Sequence, residues 1–400
     1  MPTVVLLGTL DTKGAEYAFL RDRVREHDVD VLLVDAGIHE PLVEPDIGRD
    51  EVARAAGADV TALAEAGDRG AAVAAMGAGA EAVVRRLYAE ERLDGILALG
   101  GSGGSSIATR AMRALAVGVP KLMVSTVASG DTRPYVGAVD VTMMYSVVDI
   151  AGVNRVSARI MANAAAAIAG MAGAQVPPLE EKPLVAATMF GVTTPCVTHA
   201  RERLEELGYE VLVFHATGAG GQSMEALVRG GFLAGVLDVT TTELADELVG
   251  GVLSAGPERL QAAGEVGLPQ VVSLGALDMV NFGPRETVPE KFEGRNLYVH
   301  NPTITLMRTT PEENAELGRE IGRKLSAATG PTVLFVPLKG VSMIDVEGQP
   351  FYDAAADEAL RAGLRETLDG RVELHEVDTD INDPAFATAM ADRLHELIRG

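Results

Sequence analysis

The chain has 400 residues, more than one ordinary domain, and 47% of them are hydrophobic, enough for two large cores. Its net charge of −23 sets it against nucleic acid and anionic membrane surfaces, so neither is an expected partner. The single cysteine, Cys196, excludes an internal disulfide or a cysteine metal cluster and suits a reducing cytoplasm, and no apolar run is long enough to span a bilayer.

The N-terminal "MPTVVLLGTLDTKG" does not read as a signal peptide: its apolar run is short, no basic region precedes it, and Asp11 interrupts it. Instead Val4–Leu7 reads as a buried strand, followed by a polar loop, an amphipathic helix "AEYAFLRDRVREH" and the strand "VDVLLVDAG". Short apolar runs between helical stretches predict parallel sheets with helices on both faces.

The same plan returns after residue 183. "PLVAATMFGVTTPCVTHA" lays onto "TVVLLGTLDTKGAEYAFL" without gaps, "LDGILALGGSGG" is echoed by "LAGVLDVTTTEL", and "VGVPKLMVST" by "VGLPQVVSLG". A fourth echo pairs the helices "NRVSARIMANAAAAIAG" and "NAELGREIGRKLSAATG". Four echoes in one order predict two Rossmann-like α/β domains on a duplicated plan: residues 1–178 binding a nucleotide, and 179–400, with the proline-rich stretch 173–183 as the linker. The tail from 331 lies outside the echoes. It either completes the second sheet or crosses back to the first domain.

Ligands of open parallel sheets bind beyond the C-terminal strand ends, so the loops there carry the functional expectations. The loop "GTLDTKG" offers Gly8, Thr9, Asp11, Thr12 and Lys13 ahead of a helix, a setting that suits phosphate through amides, the helix dipole and a lysine. Its spacing is that of neither the P-loop nor the dinucleotide fingerprint. Asp11 or Thr12 acting as a helix cap is the alternative. Asp35 and Gly37 follow the second strand, where an acid can bond a ribose hydroxyl or simply end a strand in a turn with Gly37 at positive φ.

"GGSGGSS" places Gly100, Gly101, Ser102, Gly103, Gly104, Ser105 and Ser106 between a strand and a helix. A plain turn needs one or two glycines, so the excess points to backbone amides approached closely by an anion. The polar stretch 125–155 shows few helix or strand signals and carries Asp131 and Arg133. It reads as a functional loop or as a domain or dimer contact. In the second half, Asp238, Asp278, Asn281, His300, Arg308, Lys339, Ser342 and Asp345 crowd the strand ends, without the spacing of a metal site. Cys196 opens a helix, a position that lowers a thiol pKa, although a lone cysteine there is more often inert.

"GTLDTKG", "DAG", "GGSGG", "GDTRPYVGAVDVTMMYSVVDIAGVN", "DVTTTEL", "LDMVNFGP", "HNPTITLMRT" and "LKGVSMID" together resemble the Tm-1-like ATP-binding family, also called UPF0261, across nearly the whole chain. The resemblance implies a two-domain α/β protein that binds ATP and forms homodimers. A plant relative carries a TIM-barrel-like domain after this region, so a role needing that barrel would here call on a separate TIM-barrel-like partner. Two functions follow as expectations. In the first, an enzyme holds ATP on the first domain against an unidentified small molecule in the interdomain cleft. Its candidate catalytic groups are Lys13, Asp131, Arg133, Asp278, His300, Lys339 and Asp345, and Asp11 or Asp131 would hold Mg2+. In the second, a nucleotide-gated module binds a protein partner without turnover. A periplasmic-type binding protein is disfavoured by the N-terminus.

Overall fold

The computed structural model describes residues 1–175 and 182–400, so the middle of the expected linker, 176–181, lies outside the described residues. Two compact units divide the chain, Met1–Pro178 and Leu179–Gly400.

The first unit runs β1 (Thr3–Gly8), α1 (Leu10–Arg25), β2 (Asp30–Asp35), α2 (Arg49–Ala55), α3 (Val60–Ala66), α4 (Arg69–Ala89), β3 (Gly95–Gly100), α5 (Ser102–Arg113), β4 (Lys121–Ser125), α6 (Arg133–Val136), β5 (Thr142–Tyr145) and α7 (Arg155–Ala172). Its strands are all parallel, in the order β2-β1-β3-β4-β5. The central strands are continuous apolar runs because both faces are covered, by α1 and α7 on one side and by α2, α4 and α5 on the other. The stretch 125–155 is more regular than its sequence suggests. It holds α6 and β5, and β5 is a part-exposed edge strand whose Thr-Met-Met-Tyr lacks the apolar signature of a central one.

The second unit runs β6 (Leu184–Met189), α8 (Thr194–Glu206), β7 (Glu210–His215), α9 (Ala219–Arg229), β8 (Gly235–Thr240), α10 (Glu243–Val249), α11 (Ala262–Val266), β9 (Gln270–Gly275), β10 (Met279–Phe282), β11 (Leu297–Asn301), β12 (Ile304–Arg308), α12 (Pro311–Ser326), β13 (Thr332–Pro337), α13 (Ala354–Thr367), β14 (Glu373–Val377) and α14 (Pro384–Arg399). The parallel sheet is ordered β14-β13-β9-β8-β6-β7, and an antiparallel sheet β10-β12-β11 is inserted after β9. Strands β7-β6-β8-β9 therefore repeat β2-β1-β3-β4, and the tail completes the second sheet through β13 and β14. The first three sequence echoes are strand-for-strand equivalents. The fourth is not: α7 packs on α1, whereas α12 packs on α13 and α10 across the opposite face, and α14 takes the place on α8 that α7 takes on α1. Amphipathic helices of similar length share a pattern whichever face they cover.

Strands β1 and β3 stay paired only to Leu7 and Ala98. Beyond that point one chain turns to the α1 face and the other to the α5 face, so the ladder opens. The Tyr17 side chain of α1, fully buried, fills the opening. Its hydroxyl donates to the Leu7 carbonyl (2.5 Å), lies 3.1 Å from the Leu99 carbonyl and accepts the Leu99 amide (3.0 Å). Gly8 is a glycine because a Cβ there would sit 2.0 Å from the Tyr17 ring. Tyr17→Phe leaves buried backbone groups without a partner, so it should cost about 1–3 kcal/mol in urea unfolding. An unchanged midpoint would show that the hydroxyl is dispensable to the ladder.

Candidate functional site

In a sheet of order 2-1-3-4-5 the ligand crevice lies where the chain reverses direction across the sheet, between β1 and β3. The strand-to-helix turns there lie within "GTLDTKG" and "GGSGGSS", whose later residues already belong to α1 and α5, so the fold sets side by side two segments with 85 residues of chain, 15–99, between them. At the second of them, only Gly100 has a packing reason: a Cβ there would approach Gly104 Cα at 3.0 Å. Added Cβ atoms at Gly101, Gly103 and Gly104 meet nothing closer than 3.6, 3.4 and 3.6 Å, and none of the three has positive φ. The fold therefore does not need these three glycines.

Helix α5 starts on Gly101 with no side-chain cap, and its first internal bond is from the Ser105 amide to the Gly101 carbonyl. That leaves the Ser102, Gly103 and Gly104 amides without an acceptor among the described residues. The serines divide. Ser102 and Ser106 are exposed, but Ser105 is buried and faces inward, bonding Ser125 Oγ at 2.7 Å. Ser105 is thus a brace for the end of β4, which corrects its reading as a ligand donor.

On the first loop the acids hold the chain. Asp35 is fully buried, and its Oδ1 accepts the Leu10 amide (3.0 Å) and the Gly37 amide (2.8 Å). Burial pushes its carboxyl up. Asp35 therefore serves the start of α1 from a sealed position, not from one open to a ribose. Asp11 Oδ2 accepts the Ile38 and His39 amides, and Asp11 Oδ1 is buried with no partner. Neither Asp11 nor Thr12 caps α1: the cap position is Thr9, whose hydroxyl lies 2.9 Å from that of Thr12. Gly37 has no positive φ, and it is required because a Cβ would fall 2.7 Å from the Asp11 carboxyl carbon.

Lys13 sits at an interruption of α1 (φ −131°, ψ 26°), and its ammonium donates to the Ile150 carbonyl in the segment after β5. Glu16, one turn on and buried, accepts the Gly152 amide at 2.6 Å. Between β5 and these anchors, Val147 has φ +63°, a conformation that costs a β-branched residue about 1–3 kcal/mol. Asp131 and Arg133 form a bidentate pair (2.8 and 2.9 Å), and the Arg133 side chain is 90% exposed. Hydrogen bonding to Arg133 lowers the Asp131 carboxyl to about 2.

The second unit closes the equivalent crevice from within. Strands β6 and β8 part after Ala187 and Leu237, and Thr188 Oγ1 bridges the opening to Asp238 (2.7 Å) and the Thr240 amide (2.9 Å). Thr240, Thr241 and Thr242 are all fully buried. Arg259, fully buried, binds Asp238 through two nitrogens (2.5 and 2.7 Å) and Glu243 through Nε (2.6 Å). Glu243 in turn accepts the Gly218 and Gly221 amides. Sequence reasoning did not single out Arg259. Its one available signal is an arginine in a loop between short helices, which is common on surfaces.

Of the second-unit candidates, the structure brings together Asp278 and Asp345 but not His300 or Lys339. Ser342 Oγ donates to Asp278 Oδ2 (2.8 Å), while Arg308 donates to Asp345 (3.0 Å) and Asp357 (2.8 Å). Asp278, Ser342 and Asp345 are fully buried, and Asp278 Oδ1 has no partner. His300 lies exposed on the edge strand β11, and Lys339 pairs with Asp378 at the surface. Cys196 is fully buried and burial drives its thiol pKa up, so the helix start does not make it reactive. Among the described residues no group of three or more His, Cys, Asp or Glu is placed to hold a metal ion, and no helix is long and apolar enough to cross a membrane.

A doubly wound sheet with a bare glycine turn at its switch point, followed by a second sheet on the same plan, defines a duplicated Rossmann-like α/β protein. The N-terminal domain of the uncharacterised protein family UPF0261 matches residues 2–177, and its C-terminal domain matches residues 182–398. The chain belongs to that family. A UPF0261 protein of Clostridium tetani is 56% identical over 98% of each chain. The ToMV resistance protein Tm-1 of Solanum lycopersicum is 41% identical over 99% of this chain, which spans 56% of the length of that protein. Among solved structures, the UDP-GlcNAc 2-epimerase of Neisseria meningitidis bound to UDP-GlcNAc aligns over the full length of both chains at 9% identity, with a TM-score of 0.25, too low to bear on ligand or reaction.

The Arg308 cluster has a measurable signature. One guanidinium faces three buried carboxyls, so burial, with Asp278 adding repulsion, pushes Asp345 up to about 9, and burial pushes Asp278 up to about 6. The folded state holds protons that the unfolded chain releases near pH 4, so this stability is present at low pH and is lost as pH rises towards 9. Wild-type unfolding free energy should fall between pH 6 and 9, by up to about 1.4 kcal/mol per pH unit for each such proton. Asp345→Asn should flatten that decline, and equal slopes in the two proteins would count against a proton held on Asp345.

Proposed function

We propose that the first unit binds the phosphate groups of a nucleotide at the β1/β3 crevice, with ATP, the ligand implied by the family resemblance, as the first candidate. The observation that carries this reading is the contrast between the two units. At the same step of one plan, the second unit packs threonines and Arg259, while the first leaves three unpaired amides behind three glycines the fold does not need. Unpaired amides at the start of a twelve-residue helix attract an anion through their partial charges. Lys13, in the first turn of α1 and not ahead of it, adds a full charge. Asp131 is held through both oxygens by Arg133, whereas Asp11 keeps one unpartnered oxygen, so Asp11 is the better candidate for an accompanying Mg2+.

Action on a small-molecule substrate is the enzymatic extension of this reading. A nucleotide-gated interaction module is the second reading, favoured by one observation: within the second unit the candidate catalytic residues share no open site, since Asp278 and Asp345 are sealed while His300 and Lys339 face solvent. A homodimer, or a separate TIM-barrel-like partner, would then supply what the unit lacks.

Calorimetry and thermal shift with ATP–Mg2+ test the shared premise, and no heat or shift at millimolar ATP would sink it. Gly103→Val should fold, since its Cβ has room, and should weaken ATP binding at least tenfold, about 1.4 kcal/mol. Release of ADP or AMP in the presence of small carboxylates separates enzyme from module.

A further inference from the structure

Residues 146–152 cross the C-terminal end of the first sheet, and their fastening involves the charged side chain the nucleotide reading needs. The segment leaves β5 through a tight turn in which the Val148 amide donates to the Ser146 carbonyl (2.6 Å) and Ser146 Oγ donates to the Val148 carbonyl (2.7 Å). Val147, at the apex, is left-handed and 61% exposed, so no packing of its side chain holds it there. Ile150 then dips under cover and, with Val148, roofs a hollow of about 10 Å3 floored by Leu99, Val124, Ile160 and Met161. Two groups three residues apart on α1 tie the far end down: Lys13 to the Ile150 carbonyl and Glu16 to the Gly152 amide. A strained turn at one end and polar ties at the other describe a strap whose position depends on α1.

We infer that residues 146–152 form a gate at the nucleotide crevice, that Lys13 is its clasp, and that phosphate bound at Lys13 tightens it. This rests on the nucleotide reading above. An ammonium has three donors, and the Ile150 carbonyl accepts one. The strap thereby fixes a side chain that would otherwise sample many rotamers, and it presents the remaining N–H groups to an anion already ordered. Linkage makes the effect mutual: if the strap favours the anion, the anion favours the closed strap by the same factor. Lys13 acts here as a positioning residue between two parts of one site, and no chemical step is assigned to it.

Hydrogen exchange on the full chain tests the inference, read on peptides covering 146–152 with β3 peptides as an internal reference. Saturating ATP–Mg2+ should slow exchange of the strap severalfold in the wild type. Lys13→Met should exchange faster there without ligand and should show no further change with ATP, while Lys13→Arg should restore the wild-type pattern. Unchanged strap exchange in wild type, under conditions where calorimetry shows ATP bound, overturns the coupling and leaves the nucleotide reading standing. No binding of ATP or tripolyphosphate overturns both the reading and the coupling. The clasp itself is then decided by the ligand-free comparison, where equal exchange in Lys13→Met and wild type rejects it.

Discussion

The structure turns on a constraint of open parallel sheets. Neighbouring strands whose following helices leave to opposite faces cannot stay hydrogen-bonded to their ends. The backbone groups exposed by the parting must find partners, because a buried donor or acceptor left alone is costly. In the first unit one tyrosine hydroxyl donates to the Leu7 carbonyl and accepts the Leu99 amide, and the strands can diverge immediately above it. In the second unit Thr188 and Thr240 do the same with shorter side chains. The hydroxyl floor is therefore a condition of the crevice in both halves.

What lies above the floor separates the halves. The second unit fills its crevice with a buried arginine between Asp238 and Glu243, and such a network is stable only while every member is present. Arg259 offers the same guanidinium chemistry that an anion site would use, but it is already neutralised by the chain's own carboxylates. At the first unit's glycine turn the arginine is an exposed one, Arg69, whose Nη2 lies 3.4 Å from where a Cβ on Gly103 would sit. Its acids nearest the crevice, Asp11 and Asp35, take up backbone amides, which reduces the repulsion they would otherwise exert on a phosphate.

The sequence made the plan readable where it constrains the backbone. The strands β1, β3 and β4 and their counterparts were legible as apolar runs at matching steps, because central parallel strands must be apolar on both faces. The glycine turn was legible as an excess, and the structure sharpens this by showing that Gly100 alone has a packing reason. Less local features were not legible. The residue types of Asp35 and Ser105 suited a ligand, but whether a polar side chain faces a crevice or its own backbone depends on partners 20 to 25 residues away. The false equivalence of α7 and α12 arose because amphipathic periodicity records that a helix has a buried face without recording which sheet face it covers. Strand β5 escaped notice because an edge position does not demand apolar residues.

The electrostatics of the whole chain sharpen the case for a local site. At −23 the protein's general field repels anions, so a phosphate could be held only where short-range groups outweigh that field. Screening at physiological salt confines surface charge effects to about 8 Å, which lets a few oriented amides and one ammonium dominate within a crevice. Helix N-termini alone are common in this fold, since every strand–helix turn creates one. The β1/β3 position differs in three respects: the Ser102, Gly103 and Gly104 amides are unpaired, Gly101, Gly103 and Gly104 have no packing reason to be glycine, and Lys13 lies in the first turn of the helix that follows β1. The tie from Lys13 to Ile150 links the start of α1 to the segment that follows the edge strand β5, so that a ligand held at the proposed site would act on both.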